Sequence, residues 1–108
     1  LVVARAGATT LAELTARGVP AILIPSPYVT GNHQEYNARL LEREGAAVVI
    51  RERELDGATL AMQVLELLRD PARLQRMAEK SRKLGQRQAE DLLVELIYEL
   101  AGRQKSLL

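Results

Sequence analysis

The sequence predicts an α/β domain: a parallel sheet with helices packed on it, followed by a helical carboxy-terminal segment. Three observations carry that expectation. Short runs of Val, Ile, Leu and Ala recur at residues 1–4, 21–24 and 46–50, a composition that suits strands buried on both faces. The segments between them place apolar residues at helical spacing. A glycine closes each of those segments, Gly18 and Gly45, leaving connections short enough for right-handed parallel crossovers.

The elements run in order. Leu1-Val2-Val3-Ala4 is a strand ending at Arg5-Ala6-Gly7. A helix over about 9–17 turns Leu11 and Leu14 inward, and Val19-Pro20 forbids its continuation. Ala21-Ile22-Leu23-Ile24 is a second strand, stopped by Pro25-Ser26-Pro27, and 25–32 is a loop rich in Pro, Gly and Asn. A second helix starts at Asn32 or His33 and runs to Glu44, with Tyr36, Leu40 and Leu41 inward. The third strand is 46–50. Asp56 caps a helix whose inward residues are Leu60, Ala61, Val64, Leu65 and Leu68. Asp70-Pro71 pairs an N-cap with Pro at the first helical position. That helix turns Leu74, Met77, Ala78 and Leu84 inward and is closed by Gly85. A last helix over about 88–101 carries a broad apolar stripe of Ala89, Leu92, Leu93, Leu96, Ile97 and Leu100, expected to be core packing, and Gly102 ends it. Residues 1–51 thus make a β-α-β-α-β core, 52–102 add helices to the same domain, and 103–108 form a frayed tail.

Composition narrows the function classes. The chain has 108 residues, 47% of them hydrophobic, one domain's worth with a core of Leu, Val, Ile and Ala. A formal charge of +1 argues against a general nucleic-acid binder. Zero cysteines exclude disulfides, thiolate nucleophiles and cysteine-bound zinc, and a single His argues against a histidine-based metal cluster. No apolar run approaches the ~20 residues of a membrane span. The chain opens at Leu1 inside a strand without an initiator Met, and three strands are a thin sheet, so a fragment of a longer protein is expected, with an exposed strand edge and apolar flank.

In an open parallel sheet, ligands bind at the carboxyl ends of the strands. Two stretches lie there. In the first, Gly7 lets backbone approach a ligand closely, and the N–H groups of Ala8, Thr9 and Thr10 are unpaired donors at a positive dipole end, a site that favours a phosphate or diphosphate. Glu13, one turn on, can accept hydrogen bonds from a ribose diol. Thr10-Leu11-Ala12-Glu13 also fits the capping box, in which Thr10 and Glu13 merely satisfy the helix end. In the second stretch, Gln34 and Asn37 share one helix face. Their carboxamides suit sugar hydroxyls, or else form a polar, solvated helix start. His33 is the single conventional general-base candidate. Between Arg69 and Gln88, five Arg and two Lys face two acids, a solvated helix face or a contact for anionic lipid headgroups.

Together these residues resemble a family. Arg5-Ala6-Gly7-Ala8-Thr9-Thr10 with Glu13, then Gly18-Val19-Pro20, Leu23-Ile24-Pro25, and Asn32-His33-Gln34 with Asn37-Ala38 are similar to the carboxy-terminal part of the GT-B glycosyltransferases that act with UDP-N-acetylglucosamine in bacterial peptidoglycan synthesis. The strong motifs span Val2 to Ile50, and the likeness continues as a helical pattern. The resemblance implies a partial Rossmann-like, three-layer domain, the carboxy-terminal half of an enzyme with its active site between two domains. It implies that Gly7, Ala8, Thr9 and Thr10 lie against the diphosphate and sugar of UDP-N-acetylglucosamine, with Leu11 in the same site. Glu13 would hold the ribose, and Gln34 and Asn37 the N-acetylglucosamine hydroxyls. It implies no cofactor and no metal. The catalytic base, the site for the undecaprenyl-linked acceptor and the contact with an anionic membrane surface would belong to an amino-terminal domain, so this chain holds no catalytic residue. The implied location is peripheral, on the cytoplasmic face of the bacterial inner membrane. Two alternatives stand beside it: a stand-alone donor subunit like that of the dolichol-pathway UDP-N-acetylglucosamine transferase, and a non-catalytic α/β interaction module.

Overall fold

A computed structural model describes residues 1–26 and 33–107, with side chains as far as residue 102. Most of the loop expected over 25–32, and Asn32 with it, lies outside the described residues. The elements are β1 (Val2–Ala4), α1 (Ala8–Arg17), β2 (Ala21–Leu23), α2 (His33–Arg43), β3 (Ala47–Val49), a 3₁₀ turn (Glu52–Glu54), α3 (Gly57–Leu68) and α4 (Pro71–Leu107). The three strands pair in parallel in the order β1-β2-β3, with Ile22 opposite Val3 on one side and Val48 on the other.

Alternation along β2 builds the layers. Ala21 and Leu23 face a core shared with Leu11 and Leu14 of α1 and Ala38 and Leu41 of α2. Ile22 faces the other way, onto Leu67 of α3 and Met77 of α4. The period of two along a strand makes this division unavoidable once helices cover both faces. The result is the partial three-layer, Rossmann-like arrangement expected.

The turn chemistry matches the sequence closely. Gly18 takes φ 66° and returns its N–H to Leu14 and Thr15, capping α1. Gly45 takes φ 75° beyond α2. A side chain at either position would be strained in this left-handed region. The Asp56 carboxylate accepts the Thr59 N–H at 2.6 Å, and that of Asp70 accepts the Arg73 N–H at 3.1 Å. Both are the N-caps expected.

Five expectations need correction. β1 is not buried on both faces: it is a sheet edge, and Val2 and Val3 remain 38% and 43% exposed. Tyr36 points outward, while Ala38 and Leu41 make the buried face of α2. On α3 the fully buried residue is Leu67, whereas Ala61, Leu65 and Leu68 are exposed. Neither Gly85 nor Gly102 stops a helix, because α4 runs unbroken from Pro71 to Leu107. Gly85 serves packing instead. A Cβ there would stand 2.5 Å from the Thr15 carbonyl oxygen of α1. One turn earlier the Ser81 hydroxyl, fully buried, donates to the Leu14 carbonyl at 3.4 Å. Small residues at 78, 81 and 85 therefore let α4 cross the end of α1 backbone to backbone. Beyond this crossing the stripe expected to pack in a core is exposed: Leu92, Leu93, Leu96, Ile97 and Leu100.

Candidate functional site

The site is assembled from the segments that leave the strands at the carboxyl edge of the sheet. After β1 the chain turns through Arg5 and Ala6 into Gly7, the N-cap of α1, which lies at φ −69°, ψ 150° and makes no side-chain cap. The first helical bond is Leu11 N–H to the Gly7 carbonyl, 3.0 Å. The N–H groups of Ala8, Thr9 and Thr10 accordingly have no partner within the helix. The capping box does not form. α1 begins two residues before Thr10, which places Thr10 in the third helical position and Glu13 in the helix body. Glu13 is exposed, one turn beyond Thr9 on the same face. Leu11 sends its side chain into the core, 8% exposed, so only its backbone borders the turn.

Among the described residues, nothing requires glycine at position 7. Its φ is one any residue adopts, and a Cβ there would meet no atom within 4 Å. No atom of the described residues fills the space that a side chain there would enter.

After β2 the site continues with Ser26, whose N–H donates to Gln34 Oε1 at 2.8 Å. Asn37 Nδ2 donates to the Ala6 carbonyl at 3.4 Å. The first turns of α2 are thereby tied to the ends of both β1 and β2, and Asn37 is set beside the turn that opens α1. The solvated-start alternative does not describe these carboxamides, which are half-buried and hydrogen-bonded. Each spends one polar atom on the scaffold. Among the described residues, Gln34 Nε2 and Asn37 Oδ1 stay available, a donor and an acceptor of the kind that reads sugar hydroxyls. A cleft of about 240 Å³ between α1 and α2 is lined by Ala8, Leu11, Ala12 and Asn37 with two leucines of α2. His33 is exposed at the start of α2.

Charged residues missed in the sequence complete the edge. Arg51, just past β3, donates its Nε to Glu35 Oε1 at 2.9 Å, and Arg39 reaches the same oxygen at 3.1 Å. Arg5, just past β1, pairs with Glu52 at 3.3 Å. Glu35, Arg51 and Glu52 line a cleft of about 300 Å³ with Pro25 and Ser26. Burial pushes the Glu35 carboxyl up, but the Arg51 and Arg39 guanidiniums outweigh it and hold the group below its ordinary value. The available signal was position: a charged residue placed immediately after a buried strand. A roomier cleft of about 460 Å³, between Gly45, Ala47, Arg73, Arg76 and Lys80, lies at the amino end of β3. That is the wrong end of a parallel sheet for its ligand. Among the described residues no group of three His, Asp or Glu side chains could hold a metal ion, and no helix is long and apolar enough to cross a membrane.

A parallel three-layer domain with an uncapped helix start at its sheet's carboxyl edge belongs to the Rossmann-like class of α/β folds. Comparison narrows the class: residues 1–94 match the glycosyltransferase family 28 C-terminal domain, and the chain belongs to that family. A relative from Halothermothrix orenii is 54% identical over 101 residues, covering 94% of this chain and 27% of its own length. One from Listeria monocytogenes serovar 1/2a is 55% identical over 100 residues, covering 93% and 28%. Both are named UDP-N-acetylglucosamine--N-acetylmuramyl-(pentapeptide) pyrophosphoryl-undecaprenol N-acetylglucosamine transferase. The chain thus spans about a quarter of the curated relatives it matches. The crystal structure of Acinetobacter baumannii MurG superposes with a TM-score of 0.67 at 32% identity, over 76% of this chain and 24% of that one.

Proposed function

We propose that this chain is the donor-binding part of an inverting glycosyltransferase. The whole protein would move N-acetylglucosamine from UDP-N-acetylglucosamine to an undecaprenyl-linked muramoyl-pentapeptide in peptidoglycan synthesis. The observation that carries this reading is the start of α1: three amides without helical partners, no side-chain cap, and a glycine that neither its conformation nor any described neighbour explains. A diphosphate against Gly7, Ala8, Thr9 and Thr10 accounts for all three. The same amides and the helix dipole would stabilise the charge that grows on UDP as the glycosidic bond breaks. Glu13 would take the ribose hydroxyls, and Gln34 and Asn37 the sugar. The acceptor, the proton-accepting base and the contact with an anionic membrane surface on the cytoplasmic side would lie in the rest of the protein. This chain alone is expected to bind donor weakly and not to turn over.

The test is Glu13→Ala in the full-length protein that carries this chain. Loss of a charge-assisted pair of hydrogen bonds should raise the donor KM about tenfold or more, with the acceptor KM unchanged. Equal changes in both KM values, or a loss of thermal stability alone, would refute the ribose assignment.

A further inference from the structure

Gln34 reaches the site from the first turn of α2, and the helix end that carries it is held in an unusual way. Its own carboxamide is fastened to the end of β2, through Ser26. The next residue, Glu35, is fastened to the end of β3, through Arg51 at 2.9 Å. Arg51 stands one residue past Ile50, whose N–H donates to the Leu23 carbonyl of β2 at 3.0 Å. The guanidinium is therefore mounted at the end of β3, where that strand is hydrogen-bonded to the central β2, and closes a ring: β2, Gln34, Glu35, Arg51, β3. Both partners are about three-quarters covered, at 28% and 27% side-chain exposure, and Glu35 receives a second guanidinium from Arg39 on its own helix.

We propose that Arg51, acting through Glu35, is a positioning residue for donor-sugar recognition by Gln34. This rests on the donor-site reading above. The physical argument is orientation. A carboxamide with one atom committed to Ser26 presents the other along a direction fixed by the rotation of α2 about its axis. Asn37 ties α2 to the end of β1 at 3.4 Å, and the shorter Glu35–Arg51 contact, on the residue next to Gln34, adds an anchor to the third strand that narrows the remaining rotation. The hydrogen bond of Arg51 goes to Glu35, so its influence on Gln34 passes through the helix. Arg39 cannot substitute, because it sits on α2 and turns with it.

The experiment uses the full-length protein carrying this chain, with steady-state kinetics against UDP-N-acetylglucosamine and against acceptor, and a melting curve for each variant. Arg51→Met should raise the donor KM by about threefold to tenfold, the range of coupling through one intermediary. The acceptor KM should be unchanged, and Arg51→Lys should recover part of the loss. In a Gln34→Ala background the Arg51→Met change should leave the donor KM where Gln34→Ala alone put it. Arg51→Met that lowers the melting temperature but not donor affinity would make the pair purely structural and overturn the proposal. So would a donor-KM effect that persists in full without Gln34. If Gln34→Ala itself leaves the donor KM unchanged, the donor-site reading fails first and the positioning role with it.

Discussion

Replacing Gly85 by Ala isolates the contact between α4 and α1. In a helix interior, alanine is better than glycine by about 0.8–1.0 kcal/mol, so propensity alone predicts stabilisation. The packing predicts the reverse. The new Cβ would lie 2.5 Å from the Thr15 oxygen, 2.7 Å from the Thr15 carbonyl carbon and 3.2 Å from the Ala16 nitrogen. Ordinary C···O approach is about 3.3–3.6 Å, so α1 and α4 must separate by close to an ångström at this point. All three atoms are backbone, and no rotamer relieves the overlap. Separation would also lengthen the buried Ser81–Leu14 hydrogen bond, already 3.4 Å. Overpacking of this kind costs about 1–3 kcal/mol, which exceeds the propensity gain. Gly102 is the control, because it is in the same helix and a Cβ there meets nothing within 4 Å. Guanidinium unfolding followed by far-ultraviolet circular dichroism should place G85A below the parent and G102A level with it or above. G85A as stable as the parent, or the two variants behaving alike, would refute the close-approach argument.

Charge and exposure give two more outcomes. The Glu35 carboxyl titrates below its ordinary value in the folded chain, so its contribution to stability is complete above the unfolded value of about 4.3 and is lost as pH falls through the lower folded one. Unfolding midpoints measured from pH 7 down to pH 3 should therefore fall less steeply for Glu35→Gln than for the parent, and parallel profiles would contradict the assignment. The stripe of Leu92, Leu93, Leu96, Ile97 and Leu100 is exposed, as are Val2 and Val3 on the β1 edge. The isolated chain should self-associate with rising concentration in sedimentation velocity, and Leu93→Lys with Ile97→Lys should reduce this, whereas a monomeric parent would speak against an adhesive face.

Much of the fold was legible because its signals are local. Gly18 and Gly45 end helices as read, since a left-handed cap needs only the residue itself. Asp56 and Asp70 cap as read for the same reason, a side chain three residues from the amide it accepts. The misreadings share an opposite cause. Gly85 looks like a stop signal, and only the position of α1 reveals it as a place of close approach. Tyr36 and the Leu92–Leu100 stripe show that periodicity identifies an apolar face without identifying what covers it. At the site, glycine turn and carboxamides were visible as residue types. Their hydrogen bonds to Ser26 and Ala6 were not, and neither was the Glu35–Arg51 pair, because partners 8, 31 and 16 residues apart are set by the sheet. The capping box failed for a subtler reason: helix entry at Ala8 left Thr10 inside the first turn.

The unbroken α4 has a mechanical consequence. It is pressed against α1 at Gly85, and the 22 residues from there to Leu107 form a stiff arm of about 33 Å at 1.5 Å per residue. A change of about 5° in the crossing angle would swing the far end by about 3 Å, several times the displacement at the pivot itself. The pivot bears on the last turn of α1, at the opposite end of that helix from the proposed donor site. A small tilt of α4 against α1 would thus be read as a larger sweep at the tip of α4.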